Sequence, residues 1–117
     1  MDKFYFIVRA DVLQQLVVHN VEMTKCQKLF ANSESPIYRK LQLCAGGVKG
    51  EDSCAGDSGS GMIDVVTNQS TKMIKYNLVG IVSWGTSKCG TGKPGVYVKV
   101  AAYLDWIMSS LCKYVST

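Results

Sequence analysis

The sequence has 117 residues, of which 47% are hydrophobic and 19% charged, and this composition is typical of one globular domain. The length excludes two full domains, and no apolar run approaches the roughly 18 residues that a membrane-spanning helix requires. The formal charge of +4 comes from basic residues that are scattered along the chain. We therefore expect no nucleic-acid partner and no membrane partner.

Short runs of β-branched and aromatic residues, separated by Gly, Ser, Asn and Lys, predict four strands. They cover residues 12–18, 61–66, 76–84 and 95–100. The loops between them contain most of the glycine, and the sequence shows no internal repeat. This pattern indicates an all-β domain of antiparallel strands.

Two helices are expected beside the strands. A short helix covers residues 25–30, with Thr24 as its N-cap and with Leu29 and Phe30 packed on the sheet. A longer helix covers residues 101–114, because apolar residues recur there at spacings of three and four. These are Leu104, Ile107, Met108, Leu111 and Val115. We interpret their shared face as a core face.

The cysteines favour disulfides over a metal site. Their spacing lacks the paired C-x-x-C motifs of a zinc ribbon, and a single histidine, His19, cannot complete a site with two histidines. Disulfides would each contribute roughly 3–4 kcal/mol and require an oxidising compartment. The N-terminal apolar run, residues 4–8, is too short for a signal peptide, so no export signal is visible. The five cysteines are Cys26, Cys44, Cys54, Cys89 and Cys112.

One segment contains a candidate nucleophile. Residues 51–59 read EDSCAGDSG, so that Ser58 lies in a glycine-flanked turn directly after Asp57. Such a turn can direct two backbone N–H groups at one point, as the oxyanion of an acyl-transfer intermediate demands. By itself, the tripeptide Asp57-Ser58-Gly59 is equally consistent with an ordinary turn.

This segment resembles the nucleophile loop of the chymotrypsin-like serine proteases. Further motifs of that family follow in the family's order: 80–85 (GIVSWG), 89–90 (CG), 94–97 (PGVY) and 103–107 (YLDWI). The absence of a cysteine at Asp64 is similar to arthropod clip-domain members. The resemblance implies a single antiparallel Greek-key β-barrel, the C-terminal barrel of the trypsin-like fold, followed by a C-terminal helix.

The resemblance also implies catalytic roles. Ser58 matches the nucleophile, which attacks a peptide carbonyl once a base removes its proton. The backbone N–H groups of Gly56 and Ser58 match the oxyanion hole. Asp57 matches the acid that pairs, in active members, with the ammonium group released by zymogen cleavage. The alternative interpretation of Asp57 is a turn carboxylate.

A second set of residues matches the family's substrate-binding site. Asp52 matches the acid at the base of the specificity pocket, and Gly85 and Gly95 match the small residues on its walls. Ser83 and Trp84 match the edge that pairs with an extended substrate. Together they imply a polypeptide substrate with Lys or Arg at the cleavage position. The alternatives are a solvated loop acid at Asp52 and a buried strand end at Trp84.

Disulfide pairing follows from the same resemblance, which joins Cys26 to Cys44 and Cys54 to Cys89. Cys112 is then left over, either tucked against the barrel or paired with a segment outside this sequence. The resemblance implies no metal and no other cofactor. It does imply an extracellular location.

A separate motif, Asn68-Gln69-Ser70, has the pattern of an N-glycosylation acceptor. It lies in the predicted connection between two strands. The alternative is a polar loop without modification.

The sequence departs from the family in what it lacks. The histidine base and the aspartate that orients it lie, in the family, in an N-terminal barrel with no counterpart in residues 1–117. His19 falls in a segment that matches a structural strand, so we do not expect it to act as the base. Ser60 and Gly61 also replace the usual Gly-Pro after the nucleophile turn.

These observations predict a partial trypsin-like protease domain spanning residues 1–117, with the nucleophile and the specificity pocket but without the base. We expect serine endopeptidase chemistry from the family and little activity from this chain alone, because a serine without its base retains only a small part of its catalytic power. The missing N-terminal barrel is the expected partner. The alternatives are a non-catalytic protease homologue that acts as a binding module and a truncated product without independent function.

Overall fold

A computed structural model describes residues 12–54, 56–86 and 88–115 of the chain. Its strands are β1 (Asn20–Val21), β2 (Gln42–Gly46), β3 (Gly61–Thr67), β4 (Ile74–Trp84) and β5 (Pro94–Lys99). Its helices are α1 (Met23–Leu29) and α2 (Leu104–Val115), and a 3-10 turn at Val100–Tyr103 precedes α2. Within those three ranges, no helix has the length and apolar character needed to cross a membrane.

The strands form one antiparallel sheet in the order β1-β2-β5-β4-β3. Strands β3, β4 and β5 follow one another as a meander, and β5 returns beside β2, which is a Greek-key connection. This arrangement confirms the expected antiparallel fold with a C-terminal helix. Loops 47–60 and 85–93 leave the sheet at the same end, because Gly46 of β2 pairs with Pro94 of β5 and Trp84 of β4 pairs with Val96.

The sequence pattern does not predict strand β2, nor the two-residue strand β1. The residues of β2, QLCAG, include no β-branched or aromatic side chain. It is a strand because it pairs with β5 over five residues and because Cys44 is joined to Cys26 of α1 by a disulfide. The predicted strands at 61–66, 76–84 and 95–100 correspond to β3, β4 and β5.

The predicted strand at residues 12–18 is wrong. These residues have no regular secondary structure, and β1 begins only at Asn20. β1 pairs with β2 through Asn20 and Val21 alone. No other described strand offers the preceding residues the backbone hydrogen bonds that a strand requires, and Leu13 is almost fully exposed.

Helix α1 begins one residue earlier than the predicted cap, so the assignment of Thr24 as the N-cap is wrong. The N-cap is Glu22, whose carboxylate accepts a hydrogen bond from the Lys25 N–H at 3.0 Å. Phe30 packs on Trp84 of β4 as expected, with ring centroids 5.2 Å apart in an edge-to-face arrangement. Leu29 remains partly exposed and does not share this contact.

The described core is small and is centred on the Cys26–Cys44 disulfide. Both cysteines are fully buried. They pack with Met23, Ile37 and Val96, and Val21, Phe30 and Trp84 cover this cluster. The disulfide therefore holds α1 against the centre of the sheet.

The prediction that α2 buries a core face is wrong for this chain. The helical period is present, but none of the residues of α2 is buried. Leu104, Met108, Leu111 and Val115 are between 51% and 77% exposed. The period places side chains on one face of a helix, whereas burial also requires a surface opposite that face, and the described residues do not provide one.

The β3–β4 hairpin has a second exposed apolar face. Ile63 pairs with Leu78 and Val65 pairs with Tyr76, so these four side chains share one side of the hairpin. Each is about half exposed or more. The sheet and α2 thus both present apolar surface to solvent.

Candidate active site

A cavity of about 220 Å³ lies at the end of the sheet where loops 47–60 and 85–93 emerge. It brings Ser58 together with every residue expected in the specificity pocket. Its lining comprises Asp52, Ser53, Cys54, Ser58, Val82, Ser83, Trp84, Gly85, Thr86, Cys89 and Gly95. Gly56 and Asp57 do not line it and belong to the turn beside it.

The two loops are joined to each other at three points. The Cys54–Cys89 disulfide is present as expected, with 5.5 Å between the Cα atoms. The Gly50 N–H donates to the Gly90 carbonyl at 2.9 Å, and the Gly90 N–H donates to Asp52 Oδ2 at 3.1 Å. These links fix the position of the Asp52 carboxylate relative to loop 85–93.

The walls of the cavity contain two facing glycines. A Cβ atom on Gly85 would lie 3.7 Å from Gly95 Cα. A Cβ atom on Gly95 would lie 3.3 Å from a ring carbon of Tyr97 and 3.6 Å from Ser53 Oγ. A side chain at either position would fill the gap between these walls, so the glycines leave the cavity open to a ligand.

Asp52 is half-buried, and its pKa is raised above the usual value of 3.8. Burial is the largest cause, because it removes water from around the charged form. Hydrogen bonds from the backbone at Gly90 and Ser53 act in the opposite direction, and the negative charge of Asp57 adds to the rise. The carboxylate is therefore under-solvated when it is ionised.

We therefore expect the ionised Asp52 carboxylate to lower the free energy of unfolding at neutral pH. Because its pKa is higher in the folded chain, the folded state binds a proton more tightly, and the free energy of unfolding falls as pH rises from 3.8 through the folded-state pKa. We expect Asp52→Asn to be more stable than the wild type at pH 7, with the difference vanishing below pH 3.8. Denaturant unfolding of both proteins at pH 7 and below pH 3.8 measures this difference in stability.

The control for this measurement is Asp64→Asn, which removes an exposed carboxylate from the middle of β3. It separates the local effect at Asp52 from the change in net charge. If Asp52→Asn instead proved less stable than the wild type at pH 7, the hydrogen bond to Gly90 would outweigh the desolvation cost. Asp52 would then be a structural residue.

The turn that contains Asp57 and Ser58 is closed by its own hydrogen bonds. The Asp57 N–H donates to the Cys54 carbonyl at 2.9 Å, and the Cys54 N–H donates back to Asp57 Oδ2 at 2.7 Å. Gly56 has φ +98°, a left-handed conformation that side chains rarely adopt. The exposed Asp57 carboxylate thus stabilises the turn in which it lies.

The same turn is anchored to β4. The Gly59 N–H donates to the Val82 carbonyl at 3.0 Å, and the Val82 N–H donates to the Ser60 carbonyl at 2.9 Å. The replacement of the family's Gly-Pro by Ser60 and Gly61 is therefore compatible with a closed turn. The two hydrogen bonds to Val82 hold Ser58 beside the end of β4, which contains Ser83 and Trp84.

Ser58 is exposed at the mouth of the cavity. Within the described ranges, no group accepts a hydrogen bond from the backbone N–H of Gly56 or from that of Ser58. Two donors on one tight turn are thus left available to an external acceptor. An oxyanion on an attacked carbonyl would be such an acceptor.

His19 lies away from this site. It lines a separate cavity of about 440 Å³, together with residues 15–18, Gly46, Val48 and Glu51. That cavity has no hydroxyl or thiol side chain in its lining, although it is the larger of the two. The structure therefore brings no imidazole to Ser58 from the described residues.

The sequence patterns did not identify Ser53, which lines the cavity, or Tyr97, which lies beside it. Ser53 Oγ lies 3.3 Å from the hydroxyl of Tyr97, which is 4% exposed. Tyr97 follows Gly95 by two positions in β5, so strand alternation puts both on the same face of the sheet. This alternation, applied from Gly95, would have identified Tyr97 as a neighbour of the cavity.

Comparisons with known proteins identify the family of this chain. The family model Trypsin matches residues 3–107. The chain is 41% identical over 103 residues to CLIP domain-containing serine protease HP8 of Bombyx mori, covering 87% of this chain and 27% of that protein. It is 41% identical over 95 residues to Serine protease ea of Drosophila melanogaster, covering 80% of this chain and 24% of that protein.

A third relative carries a different description. It is Inactive CLIP domain-containing serine protease A8 of Anopheles gambiae, which is 41% identical over 105 residues, covering 87% of this chain and 28% of that protein. The chain thus spans about a quarter of the length of each of these relatives. The extent of the family match and the level of identity show that the chain belongs to the trypsin family of serine proteases.

Proposed function

We propose that this chain supplies the nucleophile and the specificity pocket of a serine endopeptidase that cleaves polypeptides after Lys or Arg. The observation that supports this most directly is the shared cavity. Ser58 stands at its mouth, and Asp52 lies in its lining between glycine walls. A cationic side chain that entered the cavity would meet a carboxylate that lacks a full solvent shell.

The proposed reaction is acyl transfer through Ser58. Its Oγ attacks the carbonyl carbon of the scissile peptide bond while a base takes the hydroxyl proton. The oxygen of the tetrahedral intermediate accepts hydrogen bonds from the N–H groups of Gly56 and Ser58. The intermediate then expels the amine and leaves an acyl ester on Ser58, which water hydrolyses.

Specificity in this proposal depends on charge and on strand pairing. Asp52 would pair with the ammonium or guanidinium group of the substrate, and the pairing would replace water that burial removes. The chain at Ser83, Trp84 and Gly85 would hydrogen-bond to the extended substrate backbone. Together these contacts would hold the scissile carbonyl beside Ser58.

The base and its orienting acid are proposed to come from polypeptide outside these 117 residues. The exposed apolar faces of α2 and of the β3–β4 hairpin support such a covering segment, because monomeric proteins rarely leave large contiguous apolar patches in solvent. Residues 1–117 would accordingly be part of a catalytic domain, with an N-terminal barrel as the partner. The chain alone would be nearly inactive.

The proposed location is extracellular. The two disulfides, Cys26–Cys44 and Cys54–Cys89, support it, because such bonds persist in oxidising compartments. Cys112 belongs to neither bond and lies exposed on α2.

A second candidate function is that of a non-catalytic homologue which binds peptides through the same cavity. The relative described as inactive, at 41% identity, favours this alternative. Retention of Ser58 at the cavity mouth favours catalysis. Both candidates require a ligand in the cavity, and they differ in whether Ser58 is acylated.

The cavity is tested with benzamidine, a planar amidinium cation, added to the disulfide-bonded chain and followed by calorimetry or NMR. We expect the wild type to bind it and to bind the neutral analogue benzamide far more weakly. Asp52→Asn should weaken benzamidine binding about 10- to 100-fold, the range for losing a charge-assisted hydrogen bond. Asp64→Asn, the control on β3, should leave binding unchanged.

One outcome of the benzamidine measurement would contradict this prediction. Equal affinity of the wild type and of Asp52→Asn for benzamidine would show that Asp52 is not the specificity acid. Combined with the stability measurement above, loss of cation binding with a gain in stability identifies Asp52 as a binding residue that folding does not require.

A further inference from the structure

The Asn68-Gln69-Ser70 segment is a feature that the proposed active site does not use. Asn68 is the one asparagine in the sequence that is followed two positions later by Ser or Thr. This is the acceptor pattern for N-linked glycosylation. In the structure it lies at the tip of the β3–β4 hairpin, immediately after β3 ends at Thr67.

The backbone of Asn68 closes the hairpin. Its N–H donates to the Met73 carbonyl and its carbonyl accepts from the Lys72 N–H, both at 2.8 Å. Its side-chain Oδ1 accepts hydrogen bonds from the N–H groups of Ser70 at 2.9 Å and Thr71 at 3.1 Å. The oxygen of the amide is therefore held inside the turn.

The nitrogen of that amide is differently placed. No described group accepts a hydrogen bond from Asn68 Nδ2. All residues from 63 to 76 are exposed, so neither strand shields the tip. A substituent on Nδ2 would extend into solvent without breaking a contact of the turn.

We propose that Asn68 is a site of N-linked glycosylation. In this step Nδ2 forms a bond to the anomeric carbon of the first sugar of a lipid-pyrophosphate-linked oligosaccharide. The bond between that carbon and the pyrophosphate oxygen breaks, the lipid pyrophosphate leaves, and the amide nitrogen gives up one proton. An oligosaccharyltransferase of the export pathway supplies the catalysis, so the inference rests on the extracellular location proposed above.

The folded chain can accommodate the product without loss of the cavity. Strand β4 runs from Ile74, beside the hairpin tip, to Trp84 in the cavity lining. At about 3.3 Å per residue, these ends are roughly 30 Å apart. A glycan on Asn68 lies at the opposite end of the sheet from Ser58.

The test is secretion of residues 1–117, behind an appended signal peptide, from an insect cell line. We expect a glycoform whose mass falls on treatment with peptide N-glycosidase, with conversion of Asn68 to Asp in the corresponding peptide. Asn68→Asp retains oxygen acceptors for the Ser70 and Thr71 N–H groups but lacks Nδ2, so it should be secreted without the glycan. Ser70→Ala should also lose the glycan, and Ser70→Thr should keep it.

Secreted wild-type chain that carries no glycan on Asn68 would overturn the inference. A mass shift that survives in both Asn68→Asp and Ser70→Ala would overturn it as well, because the modification would then lie elsewhere. Benzamidine binding, measured on the same secreted protein, tests the proposed function separately. The appended signal peptide also makes the acceptor test independent of how the chain is exported.

Discussion

We expect the isolated chain to react with a fluorophosphonate probe on the order of a million-fold more slowly than a complete protease of the same family, the scale of losing the base from a catalytic triad. Phosphonylation of Ser58 requires transfer of its hydroxyl proton as the fluoride leaves. The one histidine in the sequence, His19, lines a different cavity, so no described imidazole lies beside Ser58 to accept that proton. Time-resolved mass spectrometry of the labelled chain measures the rate.

Two variants complete this measurement. Ser58→Ala defines the background from other nucleophiles, so the difference from the wild type is the reactivity of Ser58. His19→Ala should leave the slow rate unchanged. Labelling of the wild type within tenfold of the complete protease would refute the proposed inactivity, and its loss in His19→Ala would identify His19 as the base.

The difference between β2 and residues 12–18 shows what a sequence pattern can and cannot predict about strands. Residues 12–18 have the β-branched composition of a strand but no described partner, and they are irregular. Residues 42–46 have a poor composition for a strand but pair with β5 along their whole length. A strand is defined by hydrogen bonds to another strand, and composition describes only one of the two.

Helix α2 shows the same limit for burial. Its boundaries could be predicted closely, because the spacing of Leu104, Met108 and Leu111 is a local property of the helix. Whether those residues are buried depends on what lies opposite them. In the described residues nothing does, and the face is exposed.

More of the candidate site than of the fold could be predicted from the sequence, because the motifs of the site resemble those of a known family. The cavity contains Asp52, Ser58, Gly85 and Gly95, which lie far apart along the sequence. The hydrogen bonds that hold them could not be predicted. The Gly90 N–H meets Asp52 across 38 residues of sequence, and this contact depends on how two loops leave the sheet.

Removal of the Cys54–Cys89 disulfide should destroy the cavity and lower stability together. These cysteines are 35 residues apart in sequence, so the double variant Cys54→Ala/Cys89→Ala should lose about 4 kcal/mol of unfolding free energy in the chain-entropy model. The bond also joins the loop of Asp52 to the opposite wall. We therefore expect benzamidine binding to be lost at denaturant concentrations where the variant is still folded.

The second disulfide is the matched control, because it lies in the core and not in the cavity. Cys26 and Cys44 are 18 residues apart, which corresponds to about 3 kcal/mol of chain entropy, and both are fully buried. Cys26→Ala/Cys44→Ala should lower the urea midpoint at least as much as the other variant, since it also leaves a void in the core. Its folded fraction should still bind benzamidine. If Cys54→Ala/Cys89→Ala bound the cation as tightly as the wild type, the strand ends and the Asp52–Gly90 hydrogen bond would be sufficient to position the two loops.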